Sequence, residues 1–132
     1  MIVVDTSACI EFLRDTDSPV CNAVDRLLTA DLAVCDAISM EILAGARDDR
    51  HLSKLRGLVN RATMFPTTPA DYDEAAALYR VCRRRGETVR KLTGCLIAAV
   101  AIRAGAELLH ADVDFAVLER HTGLRAHSDS KS

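Results

Sequence analysis

A chain of 132 residues is one domain with room for a single sizeable core. Its 49% hydrophobic and 27% charged content is that of an ordinary soluble globular protein, and no apolar run approaches the ~20 residues that span a bilayer. The formal net charge of −2 leaves no overall electrostatic footprint of a nucleic-acid binder.

Five cysteines, Cys9, Cys21, Cys35, Cys82 and Cys95, are odd in number and contain no CxxC pair. Most sit inside apolar patterns, so buried reduced thiols are expected rather than a disulfide framework or a zinc site. The N-terminus lacks a basic stretch and a cleavage site, which points to a cytoplasmic protein.

In chain order, Ile2-Val3-Val4 is an unbroken apolar run of the kind buried on both faces of a parallel sheet. It stops at Asp5-Thr6-Ser7, and Ala8 to Leu13 reads as a helical turn or two. Ser18-Pro19 opens a second helix with a capping hydroxyl and proline at the first position, and Val20, Val24, Leu27 and Leu28 form its apolar face. Leu32 to Cys35 is a second strand ending at Asp36. The helix after it carries Ile38, Glu41, Ile42 and Leu43, and Gly45 ends or bends it. Asp49 to Ala62 is a charged helix with Leu52, Leu55, Leu58 and Val59 at helical spacing.

Met64-Phe65 marks a third strand, ended by Pro66. Thr68-Pro69-Ala70-Asp71 is a capping-box variant opening a helix that Gly86 stops. Thr93 to Ala104 is apolar around nearly its whole circumference, which places it centrally. Glu107 to His110 is a fourth strand, Ala111-Asp112-Val113-Asp114 leads into a last helix, Leu124 to His127 reads as an edge strand, and residues 128–132 as a frayed tail. Strands alternating with helices imply a parallel sheet covered on both faces, a three-layer α/β/α sandwich, here a single domain over residues 1–132.

In a parallel sheet every strand's carboxyl end lies on one edge, so Asp5, Glu41 and Asp112 can face one crevice, with Asp114 beside them. Clustered carboxylates repel unless a cation sits between them. With no His or Cys beside these acids, a hard divalent cation such as Mg²⁺ or Mn²⁺ suits them better than Zn²⁺. His110 is adjacent in sequence, but strand alternation assigns it a structural place. Each acid has a simpler alternative. Asp5 with Thr6 and Ser7 can merely cap the following helix, Asp112 and Asp114 can favour the N-terminus of the last one, and Glu41 can be a solvated gap in an apolar face. Arg83, Arg84, Arg85, Arg90 and Lys91 form the one dense basic cluster, suited to guiding phosphates or simply to a helix C-terminus. Aromatic content of 4% with no Trp offers little for base stacking, so no RNA target is legible.

Five pieces in this order, Ile2-Val3-Val4-Asp5-Thr6-Ser7-Ala8, Met40-Glu41-Ile42-Leu43-Ala44-Gly45, Gly86-Glu87-Thr88-Val89-Arg90, Cys95-Leu96-Ile97-Ala98-Ala99 and His110-Ala111-Asp112-Val113-Asp114-Phe115, resemble the PIN domains of VapC toxins from bacterial type II toxin–antitoxin pairs. The resemblance implies a Mg²⁺- or Mn²⁺-dependent endoribonuclease, silenced by a VapB-type antitoxin and expected as a homodimer. It implies metal-binding and catalytic roles for Asp5, Glu41 and Asp112, with Asp114 as a neighbouring metal helper and Thr6 and Ser7 in the same pocket. One position departs from the pattern. The family places an aspartate immediately before the Cys-Leu-Ile-Ala-Ala run, where this chain has Gly94. The resemblance therefore implies an impaired nuclease or, alternatively, an inactive variant that only binds antitoxin or RNA.

Overall fold

The computed structural model describes residues 1–28 and 31–131. Eleven elements alternate along them: β1 (Ile2–Val4), α1 (Thr6–Leu13), α2 (Pro19–Leu27), β2 (Leu32–Cys35), α3 (Asp36–Ala44), α4 (Asp49–Arg61), β3 (Thr63–Phe65), α5 (Pro69–Arg84), α6 (Leu92–Ala104), β4 (Glu107–Leu109) and α7 (Val113–His121). The four strands form one sheet in the order β3-β2-β1-β4, and every pairing is parallel. All four residues of β2 are buried, so side chains on both faces of the sheet are covered, as the apolar runs require.

The strand order fixes where a ligand can sit. The chain steps from β1 through β2 to β3 in one direction, then crosses back to place β4 on the far side of β1. Right-handed crossovers then put the helices of the two halves on opposite faces, and a crevice opens where the direction reverses, between the carboxyl ends of β1 and β4. The core is continuous through the sheet, with Val3, Val4, Ile38, Ile97, Leu108, Leu109 and Leu118 fully buried. All five cysteines are free and buried, as their apolar settings suggested.

Local signals set most boundaries. Ser18 caps α2 by accepting from the Cys21 N–H at 3.0 Å, with proline next in line. The Thr68 N–H donates to Asp71 at 2.8 Å, one half of the anticipated capping box. Gly105 ends α6 in the left-handed region at φ 65°, where a Cβ would be strained.

Two expectations at the C-terminus need correction. Leu124 to His127 does not form a strand; only Ala126 bridges to Leu108, in parallel. Residues 128–131 are not frayed either. The Lys131 N–H donates to the His110 carbonyl at 2.8 Å, Ser130 Oγ accepts from the His110 N–H at 3.1 Å, and Arg26 pairs with Asp129 at 2.9 Å. The open side of β4 leaves backbone groups unpaired, and this segment satisfies them. Ser132 lies outside the described residues.

Candidate active site

The crevice at the β1/β4 switch point is a cavity of about 130 Å³ lined by Asp5, Thr6, Ser7, Glu41, Gly94, Asp112 and Asp114, among others. The four acids arrive on three elements. Asp5 follows β1 and is the N-cap of α1, where its Oδ2 accepts from the Ser7 N–H at 2.9 Å and from Ser7 Oγ at 2.6 Å. Asp112 is the N-cap of α7, and its Oδ1 accepts from the Asp114 N–H at 2.9 Å. Glu41 projects from the second turn of α3 and accepts from Thr6 Oγ1 at 3.2 Å. Two of the simpler alternatives thus hold, since Asp5 and Asp112 cap helices, and both residues also line the crevice. The first turns of α1, α6 and α7 all border it, so three positive helix ends partly offset the crowded negative charge.

Hydroxyl groups set the spacing. Ser7 Oγ donates to Asp5 and accepts from the Ala111 N–H at 2.9 Å, tying the end of β1 to the segment after β4. His110 is 2% exposed. Its Nδ1 accepts from the Asp112 N–H at 3.2 Å and its ring packs at 5.2 Å from Phe115. It braces the backbone of Asp112 from behind, the structural place that strand alternation assigned it.

Burial pushes the Asp5 carboxyl above its ordinary value, and the charge of Asp112 adds to the shift. Glu41 is raised as well, first by burial and then by Asp5, against which Thr6 and Lys91 act. Asp5 and Glu41 are thus held above their usual range by burial and by neighbouring charge, which disfavours their ionised forms.

The basic cluster divides. Lys91 lines the crevice. Arg90 is not among the lining residues but pairs with two that are: Nη2 lies 3.0 Å from Asp112 Oδ1 and Nε lies 3.0 Å from Asp114 Oδ1. Asp114 Oδ2 accepts from the backbone N–H groups of Arg90 and Lys91, at 3.2 and 3.3 Å. Asp114 therefore holds the loop before α6. Arg83, Arg84 and Arg85 close α5 and are not among the crevice residues; the Arg83 guanidinium stacks over Tyr79 at 5.5 Å.

Sequence reasoning missed a second cationic surface. Arg14, Arg47 and Lys54 line a groove beside α1, α3 and α4 that shares Thr6, Ile10 and Glu41 with the crevice. These cations come from separate parts of the chain, so no linear cluster announces them.

Gly94 lies in the first turn of α6, facing the crevice, and no acid occupies that turn. A Cβ there would meet only the Phe115 ring, at 3.8 and 3.9 Å. That is ordinary contact, so a Cβ is accommodated. In chemistry the oxygen-only donor set suits a hard divalent cation. In arrangement it is not gathered: among the described residues no three of His, Cys, Asp and Glu lie close enough to hold a metal ion together, and two of the four carboxylates are turned onto Arg90.

Comparison with known proteins agrees with this architecture. The PIN domain profile matches residues 2–120. The chain is 48% identical to the VapC ribonuclease Mb1587 of Mycobacterium bovis and to ribonuclease VapC11 of Mycobacterium tuberculosis, in each case covering 97% of this chain and 98% of the relative. Among solved structures, VapBC2 from Rickettsia felis, bound to a DNA fragment from its promoter, superposes with a TM-score of 0.77 at 19% identity, covering 96% of this chain and 98% of that one. At that identity the likeness speaks for the fold.

Proposed function

The chain belongs to the PIN domain family, and we propose that it is the toxin of a type II toxin–antitoxin pair, a cytoplasmic endoribonuclease that cleaves RNA phosphodiester bonds. The observation that carries the reading is the crevice: carboxylates from three separate elements line it at the switch point of a chain that matches VapC ribonucleases over 97% of its length.

Asp5, Glu41 and Asp112 are the residues that would hold Mg²⁺ or Mn²⁺. The chemistry such an ion supplies when bound is an acidified water and neutralised phosphate oxygens. The chain's own groups do the positioning. Ser7 and Thr6 orient Asp5 and Glu41, His110 fixes the backbone of Asp112, and Lys91 puts a positive charge at the entrance. Phosphates flanking the crevice would be met by the cations of the adjoining groove, with Arg83, Arg84 and Arg85 as a more distant patch.

A VapB-type antitoxin is the proposed partner. The groove beside α1, α3 and α4, where Ile10 and Leu13 stand exposed beside Arg14, Arg47 and Lys54, offers apolar anchors next to the crevice. A second copy is proposed to cover the hollow where Met40, Tyr72 and Leu92 stand exposed; light scattering at micromolar concentration should then give the mass of a dimer.

A second reading, a PIN domain that binds without cutting, rests on Gly94, which leaves the first turn of α6 without a carboxylate. One assay tests both readings: RNA cleavage by the natural chain and by Gly94→Asp, side by side, with and without EDTA. We expect the aspartate form to cut at least about ten-fold faster, since losing even an indirect metal partner costs ~10–100-fold, and EDTA to abolish the difference. Equal rates would show that Gly94 is not disabling. Absence of cleavage by both proteins would sink the nuclease assignment.

A further inference from the structure

We propose that Arg90 is the internal counter-cation of the crevice, a side chain that holds Asp112 in place of a divalent cation and must release it before such an ion binds. The inference rests on reading the crevice as a cation site, and it accounts for why carboxylates of the right kind are not gathered there.

Three observations carry it. The guanidinium forks onto two different carboxylates, with Nη2 on Asp112 and Nε on Asp114, both at 3.0 Å. Each contact is a charge-assisted hydrogen bond that offsets part of the negative charge on these two acids. Asp114 in addition takes the backbone N–H groups of Arg90 and Lys91 on its other oxygen, which pins the loop so that the Arg90 side chain is delivered to Asp112. The pinning is buried: the Asp114 side chain is 4% exposed. The contact with Asp112 is open, with the Arg90 side chain 63% exposed and that of Asp112 23% exposed. One end is therefore fixed by the fold and the other is free to swing. Water competes for an exposed ion pair, so the guanidinium can leave Asp112 at small cost while Asp114 keeps the loop in place. Lys91, the cation that lines the crevice itself, bears on Glu41.

A clamp that merely stiffens the loop would have the same contacts but a different consequence. Only a competing cation makes metal binding tighter when it is removed. The probe is Mn²⁺ alone, titrated into the natural chain, Arg90→Gln and Arg90→Lys, and followed by calorimetry and by the gain in Tm at a fixed Mn²⁺ concentration. Arg90→Gln keeps the backbone N–H that anchors Asp114. It should bind Mn²⁺ about three- to five-fold tighter than the natural chain, the scale of one exposed ion pair, start from a lower metal-free Tm and gain more on adding Mn²⁺. Arg90→Lys, which cannot span both carboxylates, should fall between, about two-fold tighter; it decides the matter if the glutamine form does not fold. Equal affinities would reduce Arg90 to a loop clamp and overturn the proposal while leaving the cation site standing. Weaker binding by the variants would make Arg90 a prop for Asp112 and overturn it too. Absence of binding by all three at millimolar Mn²⁺ would remove the cation site, and the proposal with it.

Discussion

Asp71 and Asp112 both meet an arginine, yet the two ends of the molecule use the pairing differently. Asp71, at the start of α5, is 3% exposed and accepts hydrogen bonds on both oxygens. Arg103 Nε lies 2.9 Å from one oxygen, while Arg103 Nη2, the Thr68 N–H and Thr68 Oγ1 approach the other at 3.0, 2.8 and 3.1 Å. The Arg103 guanidinium also donates to the Pro66 carbonyl at 2.6 Å, so one residue joins β3, α5 and α6. These bonds hold the Asp71 carboxyl below its ordinary range, Arg103 foremost. At the crevice, acids face acids, Asp5 and Glu41 are raised, and the arginine is half in solvent. A carboxylate surrounded by donors holds the fold together. A carboxylate left beside other carboxylates weakens it and keeps lone pairs for something else.

The comparison is sharpened by making the same change at both ends. Asp71→Asn should have the largest effect. Its amide must turn donor hydrogens toward Arg103 or Thr68, leaving a buried group mismatched at a cost of about 1–3 kcal/mol, visible as a clear drop in Tm. A carboxyl with a lowered folded pKa stabilises above its unfolded pKa and loses that contribution as pH falls through the folded value. The loss in Asp71→Asn should therefore be full at neutral pH and fade below about pH 4.

Ser7→Ala comes next. It removes the hydroxyl that joins Asp5 to the Ala111 N–H and should cost about 1 kcal/mol in chemical denaturation. It should also let Asp5 and Asp112 drift apart, so that Mn²⁺ affinity falls further than stability does.

The smallest effect has the opposite sign. Asp5→Asn keeps the N-cap, since asparagine accepts from Ser7 equally well, but removes a buried charge facing Asp112. A raised folded pKa means that stability is fully present below the unfolded pKa and is lost as pH rises through the folded one. In metal-free protein Asp5→Asn should therefore raise Tm at neutral pH, with the gain vanishing below about pH 4, while metal binding is lost. If Asp5→Asn and Asp71→Asn shift Tm in the same direction at neutral pH, the contrast between the two regions is wrong.

What the sequence determined by itself was local or periodic. Ile2-Val3-Val4 and Leu32-Ala33-Val34-Cys35 read as doubly buried strands because a continuous apolar run has no solvent face to offer. Ser18-Pro19 and Thr68-Pro69-Ala70-Asp71 marked helix starts because a cap acts within four residues. Even the placing of Asp5, Glu41 and Asp112 along one crevice was legible, since parallel strands bring all their carboxyl ends to one edge. Tertiary structure alone decided how those acids are shared. Arg90 lies 22 residues from Asp112 and 24 from Asp114, and nothing in its immediate neighbours separates it from Arg83, Arg84 and Arg85, which face elsewhere. The tail at 128–131, polar and terminal, carries no sign of the open strand edge it covers, and Arg14, Arg47 and Lys54 share a groove only after three stretches of chain have packed. A long charged side chain finds its partner through the fold's placement of both backbones, and local pattern carries no information about that distance.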